Sequence, residues 1–484
     1  MPNPANIPIP STDRNFKLIN ARISICMPNR FPAVLWLVAL FVAMSILMAC
    51  SKGERALQRA LNKGSGKVTI PPGVTEISRG LTVPITARNL EVVGSEGSVL
   101  RVSPGFQARA VFLIRGGSGI RFRNFTIEGG SAENERPSEA APERAPLSSH
   151  FSGNGISIED TSDVSIADVQ IRYLSAMPIL VSRSKKVKLE RIRTENCGSR
   201  NSKGRANSSG GIVFEEGVED FEVRGSHFKR ILGNGIWIRS IPGSPRNARG
   251  LIEGNVFEIV GHHAILISQA GRIQVENNTG RMIGFPSTAV DVENRVIPAV
   301  IGSSGKFDEG AYRNNRFEEI NGRCFTLDGF HDGEIAGNVC LNRGPETDYP
   351  SGHMAVLMNN TSQDMESQFT TIRDNTFEGF NFGGIFVLGK GHKIVRNKLA
   401  HLNRVRCREG SSPGVCPASS SEPAMLSAGI YLAFQGARLG PSAENTIEHN
   451  EISGFGMKAN CVVTSANVEA AANTIRNNKC SGDE

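Results

Sequence analysis

Over residues 372–399 the chain reads IRDNTFEGFNFGGIFVLGKGHKIVRNKL, and one short unit appears in it twice. An apolar residue is followed by a polar pair ending in Asn, with an apolar residue two places on. The copies run from Ile372 to Phe377 around Asn375 and from Ile394 to Leu399 around Asn397. The unit recurs around Asn255, Asn278, Asn315, Asn338, Asn450 and Asn478. The steps 278 − 255 and 338 − 315 are both 23, and 397 − 375 is 22; the longer steps carry loops. A glycine-led alternating strand keeps pace: Ile236-Trp-Ile238, Ile265-Leu-Ile267, Val290-Asp-Val292, Phe325-Thr-Leu327, Val356-Leu-Met358, Ile385-Phe-Val387 and Ile430-Tyr-Leu432.

Alternation turns the first and third residue of each strand inward and the middle one outward. A repeat of roughly 20–30 residues built from short strands and turns cannot bury its apolar face alone, so repeats must stack. Leucine-rich or ankyrin arrays would need a helix in each repeat, and no helical period appears. The pattern predicts an all-β, single-stranded parallel β-solenoid with strands about 4.8 Å apart. An Asn at each corner is expected to bond its own turn backbone and the Asn above, and to tolerate left-handed φ.

The rest of the chain fits around that array. Residues 1–26 are polar and patternless, and Met27 is a natural start, so 1–26 read as an over-extended or disordered start. Residues 27–49 form a secretory signal: Arg30, then an apolar run from Phe31 to Ala49 ahead of Cys50. The ending Leu47-Met-Ala-Cys50 resembles a bacterial lipobox, which implies lipid attachment at Cys50 and an outer-membrane or cell-surface lipoprotein. A periplasmic or secreted form, or an uncleaved anchor, is the alternative. Residues 53–80 open with ERALQRALN, apolar on one helical face, and read as an N-terminal cap over the first coil. Coils fill 81–480, interrupted by polar loops at 130–152, 196–211, 240–250, 294–311, 343–352, 359–369 and 404–427.

The Asn-centred repeats, the glycine-led strands and the helix-plus-Pro-Pro-Gly opening resemble right-handed parallel β-helices of the pectate-lyase-like superfamily. The repeats are similar to those of carbohydrate-binding proteins and sugar hydrolases. That resemblance implies a polysaccharide partner met in a central groove and a monomeric protein. It does not extend to the reaction: the Asn-Thr-Asp, Asp-Asp and Gly-His-Gly set is absent, Gly391-His392-Lys393 departing at its third position. Gly261-His-His-Ala264 likewise lacks the Asp-Pro of epimerases.

Composition agrees with a turn-rich coil: 52 Gly and 6% aromatics. The formal charge is +7; removing Arg14, Lys17, Arg22, Arg30 and Asp13 (+4 − 1 = +3) leaves +4. That balance is compatible with an acidic glycan, and no basic run interleaved with aromatics points to nucleic acid. In an exported chain Cys407 and Cys416, nine residues apart, are expected to pair, and Cys461 with Cys480 would staple the last coil. Cys324 and Cys340 either pair or sit inside as thiols, and Cys197 is the odd one.

Candidate chemistry comes from the outward residues. One column holds Trp237, Leu266, Asp291, Thr326, Leu357, Phe386 and Tyr431; two residues on lie Arg239, Ser268, Glu293, Asp328 and Asn359. The middle is thus expected to gather Trp237 and Arg239 beside Asp291, Glu293 and Asp328. A Trp face stacks on sugar C–H groups and excludes water. Glu293 and Asp328 would be about 5 Å apart, and two such carboxylates do not both ionise readily, which supplies the acid and base of glycoside cleavage. A lyase would instead need a base and a cation, for which Arg239, Lys390, His263 and His331 qualify. Asn359 and Tyr431 complete the substrate-binding set. The rival reading is a non-catalytic binder, in which outward carboxylates are solvated guards against edge pairing. No cofactor is required; a carboxylate groove suits Ca²⁺, but no ligand set has fixed spacing.

Overall fold

Each turn of the chain lays down three short strands, and each strand pairs in parallel with its counterpart one coil away. The computed structural model describes residues 52–130, 144–290, 297–359, 366–408, 416, 424–434 and 441–482. The start at 1–26, the signal at 27–49, the lipidation site Cys50, and Asp291 and Glu293 all lie outside the described residues. The protein is a right-handed parallel β-helix. One ladder runs through Ile236–Arg239, Ile265–Glu276, Ala299–Asp308, Arg323–Asp328 and Val356–Asn359. A second runs through Glu219–Arg224, Asn247–Glu253 and Ala311–Arg313, a third through His227–Ile231, Val256–Val260 and Thr279–Ile283.

Alternation sets the core. Ile236 and Ile238 are fully buried while Trp237 between them is not. Aromatics stack inside: Phe228 and Phe257 lie with ring centres 4.8 Å apart and nearly parallel. Gly280 stands in register between Phe257 and Phe317, and a Cβ there would meet the Phe317 ring at 2.5 Å, so glycine lets the two rings share the layer.

The Asn corner forms a continuous ladder. Asn338 Nδ2 donates to the Tyr312 carbonyl at 2.8 Å and to Asn375 Oδ1 at 2.9 Å, and Asn375 repeats the bond to Asn397. One detail differs from expectation. The ladder residues keep ordinary φ, and the residue before each takes the left-handed conformation: Asn277, Asn314, Asp374, Arg396, His449 and Asn477. The chain must turn just before the rung so that the rung's amide can point inward.

The N-terminal end is capped by a helix over residues 52–61. Leu57 and Leu61 enter the core. Glu54, buried, accepts from the N–H groups of Ser78 and Arg79 at 3.2 and 2.8 Å, and Gln58 accepts from Thr82 at 2.8 Å. Side chains of the helix therefore satisfy strand-end donors that a following coil would otherwise meet. Three disulfides join Cys324 to Cys340, Cys407 to Cys416 and Cys461 to Cys480. Cys197 is a buried thiol, pushed up to about 12 by burial.

Candidate functional site

The first ladder presents its outward residues as a column in register: Leu180, Val213, Trp237, Leu266, Gly302, Thr326, Leu357, Phe386 and Tyr431. Beside it run Glu215, Arg239, Ser268 and Ser304, and further on Asp328 next to Asn359. Asp291 and Glu293 lie outside the described residues, and the ladder positions expected for them are filled by other residues. The coil between Ile265–Glu276 and Arg323–Asp328 is built by Ala299–Asp308, so Gly302 and Ser304 take the positions expected for those carboxylates. Residues 284–290 instead make a turn through Pro286 and a short 3-10 segment at Ser287–Ala289. Among the described residues, no carboxylate stands beside Asp328 in this ladder.

One end of the column is covered. The segment 144–151, with a helical turn at Leu147–His150, lies over it. Leu147 and Phe151 pack with Met177, Leu180 and Val213, and Trp237 borders that cluster. The buried Glu215 accepts from the N–H groups of Leu147 and Ser148 at 2.6 and 2.9 Å. Arg239 donates to the Ala145 carbonyl at 2.8 Å, and its guanidinium sits 5.5 Å from the Trp237 ring centre. Arg239 is thus a buried clamp on this segment, not a group lining open space. Trp237 is half-buried at the segment's edge, and its indole N–H is buried without a partner.

The other end is covered as well. Tyr431 is 3% exposed and stacks on Phe386 with ring centres 6.0 Å apart, so it is a packed residue and not a free surface platform. The middle of the column is made by Leu266, Gly302, Thr326 and Leu357 (about 14 Å along the helix axis at the usual strand spacing), half-buried except for the buried Gly302. The Thr326 hydroxyl is buried there without a partner among the described residues. Asp328, buried, and Asn359, half-buried, stand along one edge. Arg239 and Asp328 are three strands apart, again about 14 Å, so they act at separate places.

Along the other edge stand His262, His263, Arg323 and His353. His263 Nδ1 accepts from the Ala299 N–H at 2.9 Å, and its ring lies 3.5 Å from where a Cβ on Gly302 would project. Burial, then the neighbouring His262, holds His263 well below the usual histidine range, so its ring is neutral. Arg323 Nε donates to His353 Nδ1 at 3.3 Å. Burial lowers Arg323 to about 10, and burial with the nearby Arg323 keeps His353 neutral.

His331 and Lys390 belong to a different corner. His331 Nδ1 meets Asp308 Oδ1 at 2.9 Å, Nε2 meets the Glu366 carbonyl, and Asp308 Oδ2 accepts from Arg246 at 2.7 Å. The His331 ring engages Asp308, not Asp328, although only three residues separate it from the latter. Lys390 is exposed and stacks through backbone bridges above Gln368. The structure thus places Asp328 and Asn359 along one edge of the column's middle and His263 along the opposite edge, and sets Arg239, His331, Lys390 and Tyr431 elsewhere. Among the described residues no group of three or more His, Cys, Asp or Glu is placed to hold a metal ion, so the Ca²⁺ expectation finds no ligand set there.

A groove of about 880 Å³ also lies over the second ladder, lined by Asp220, Glu222, Arg249, Gln274, Arg313 and Glu334. Several of its charges are paired: Arg249 with Asp220 and Glu219 at 2.6 Å, and Arg313 with Glu276 and Glu334 at 2.8 and 2.7 Å. The first ladder's middle joins an apolar floor to the Thr326 hydroxyl, unpartnered among the described residues, and to the Asp328 carboxylate, and for that reason it is the better candidate.

Comparison with known proteins supports the architecture. A family model described as a right handed beta helix region matches residues 110–282. No curated protein matches the chain. Among solved structures it is similar to DFA-IIIase from Arthrobacter chlorophenolicus A6 in complex with GF2, at 14% identity and TM-score 0.52, covering 90% of this chain and 93% of that one. It is also similar to PfbA, a surface adhesin of Streptococcus pneumoniae, at 13% identity and TM-score 0.54, covering 72% and 88%. The Dettilon tailspike protein gp208 follows at 12% identity and TM-score 0.51, covering 72% and 62%. At these identities the likeness is one of fold.

Proposed function

We propose that this right-handed parallel β-helix is an exported, lipid-anchored, glycan-active protein that takes a polysaccharide across the open middle of its first ladder and cleaves it. The observation that carries the reading is the make-up of the column's middle. Between its two packed ends, the half-buried Leu266, Thr326 and Leu357 and the buried Gly302 form a mainly apolar strip, with the Thr326 hydroxyl unpartnered among the described residues and the Asp328 carboxylate at the edge. Sugar rings offer the matching chemistry, with C–H faces for the floor and hydroxyls for the polar edges. Asp328 is the carboxylate on that edge and is assigned proton transfer, with Asn359 and Trp237 as binding groups. Asp328 by itself does not distinguish lyase from hydrolase chemistry; the product does.

The solved neighbours lend support of a general kind, since a DFA-IIIase was solved with GF2 and another neighbour is a surface adhesin. Export and the anchor at Cys50 rest on the apolar run and small residues before that cysteine. A second reading, a binding protein without catalysis, is favoured by one observation: among the described residues no second carboxylate stands beside Asp328 on the open face.

The test incubates the protein with acidic and neutral polysaccharides while following ultraviolet absorbance for unsaturated uronate and reducing ends together. Both rising indicates a lyase, reducing ends alone a hydrolase. Asp328→Asn is expected to lower either rate by about 10²–10⁴-fold. Binding without any product, unchanged by Asp328→Asn, would establish the binding protein instead.

A further inference from the structure

Arg323 differs from the arginines around it. Along the ladders Arg183, Arg191, Arg249, Arg313, Arg373 and Arg396 each hold a carboxylate within 2.8 Å. Arg323 has none among the described residues; its side chain makes one bond, from Nε to His353 Nδ1 at 3.3 Å. The terminal amino groups, which form the fork that binds planar anions two oxygens at a time, are left without a protein partner. A half-buried guanidinium without a counter-charge is costly to the fold, and here burial is enough to depress its basicity.

The neighbours have matching polarity. His353 uses Nδ1 as acceptor toward Arg323, and His263 uses Nδ1 as acceptor toward the Ala299 N–H. In neutral imidazoles the proton then sits on Nε2 of each ring, where it is a donor. Among the described residues neither Nε2 has a hydrogen-bond partner. Arg323 and His353 therefore present donors and one positive charge, with His263 adding a donor nearer the floor beside Gly302 and Leu266. Phe382 packs edge-on against the His353 ring at 5.4 Å and helps hold its direction. A dianion would find too little charge, whereas a single planar carboxylate would match both the fork and the charge.

We propose that Arg323 and His353, with His263 beside them, form a carboxylate-binding subsite on the edge of the open groove, taking the acid group of a uronic acid residue in the glycan. This rests on the glycan reading above and gives it a substrate class. The sugar ring would lie on Leu266 and Gly302 with its carboxylate turned to Arg323. Asp328 closes the same strand on the far edge, five residues on and about 16 Å away at the usual rise, so the two charges do not quench each other.

The experiment measures binding by calorimetry of the whole chain with polygalacturonate, alginate and hyaluronate, with the carboxyl-reduced form of each that binds, and with dextran sulfate and a neutral glucan. Arg323→Gln and Arg323→Lys are measured in parallel, with melting curves to show that both are folded. The subsite predicts that at least one uronate polymer binds and that carboxyl reduction weakens it at least tenfold. It predicts that Arg323→Gln weakens that polymer by a similar factor without altering binding of its reduced form, and that Arg323→Lys falls between. Equal binding of the native and reduced polymers overturns the carboxylate subsite and leaves the glycan groove standing, a result that needs no variant. Tighter binding of dextran sulfate than of every uronate polymer, with the same Arg323 dependence, also overturns it in favour of a sulfate ester. Binding of none of the glycans overturns the subsite and the glycan reading together.

Discussion

Glu215, fully buried, receives the backbone N–H groups of both Leu147 and Ser148, so one carboxylate pins the segment 144–151 onto the outward face of the first ladder. The segment's apolar side chains add little reach: Leu147 and Phe151 form a small cluster separate from the main core. Hydrogen bonds to a buried charge contribute about 1.5–3 kcal/mol each. Glu215→Ala is expected to loosen this segment before anything else. Hydrogen exchange should accelerate at Leu147 and Ser148 by at least tenfold while the Asn ladder amides stay protected. Trp237, which borders the cluster, should shift its emission to the red. Equal loss of protection across both regions would mean that the segment and the solenoid unfold as one unit.

The Asn ladder allows a comparison of the same residue in the middle and at the end. Asn338 is fully buried, and its side chain and N–H make or receive five bonds, with Asn315, Asn375 and the Tyr312 carbonyl as partners. Asn338→Ala strands the N–H and Nδ2 of Asn315 and the Tyr312 carbonyl in a dry interior, at about 1–3 kcal/mol for each unmet group. Asn478, the last rung, is only partly buried, and water can replace what it loses. Asn338→Ala should therefore lower the urea midpoint well beyond Asn478→Ala, by an amount worth at least 2 kcal/mol on the scale of about 1–3 kcal/mol per stranded group. Similar midpoints for both would show that the ladder is not a main source of stability.

The contrast between those rungs and the groove explains what the sequence reveals. A repeat writes itself into the chain because each coil must supply the same inward residues and the same corner amide, so strands, ladder and capping helix are all readable locally. The groove depends on which of two alternating stretches becomes the strand. Val290-Asp-Val292 follows the glycine-led pattern, but the coil uses Ala299–Asp308, whose glycine at 302 falls outward in the middle of the strand. Cover is equally invisible: Arg239 and Trp237 look free until a segment some ninety residues earlier in the chain folds over them. Arg323 belongs to no motif. Its one signal is position, two residues before the inward Phe325, as His263 is two before Ile265.

The disulfide Cys461–Cys480 closes a 19-residue separation in the final coil, where Thr474–Arg476 is exposed along its whole length. A loop of that size loses unfolded-state entropy equivalent to about 3 kcal/mol on cross-linking. With no later coil among the described residues to pair with it, this last turn depends on that link. Cys461→Ser with Cys480→Ser is expected to make the chain beyond residue 455 open to limited proteolysis while the rest resists. Cys407→Ser with Cys416→Ser should leave the final coil intact. Cleavage spread along the solenoid in the first variant would show instead that the bond supports the whole stack.

His392 serves as a rung of a second, shorter ladder. Its Nδ1 accepts the Thr370 N–H at 3.1 Å, its own N–H donates to Asn445 Oδ1 at 2.8 Å, and Nε2 donates to the Leu388 carbonyl at 3.0 Å. Accepting at Nδ1 requires the neutral ring, and burial lowers His392 from the usual 6.5 to about 4. The unfolded chain therefore takes up a proton at a pH where the folded chain does not. Stability contributed by this group is complete above about pH 6.5 and declines as pH falls toward 4, by about 3 kcal/mol at the lower end. His263 and His353, also held neutral by burial, act in the same direction. The paired carboxylates Asp168, Asp220 and Asp374 are held below their usual range by hydrogen bonds from arginine, so their contribution fades only below about pH 4. The two windows are separable. His392→Asn keeps an acceptor for Thr370, as Asn473 does for Asn445, and cannot be protonated. Urea midpoints measured from pH 7.5 to 4 should fall less steeply in His392→Asn than in the parent. Parallel curves would show that protonation of His392 does not contribute to the loss of stability in acid.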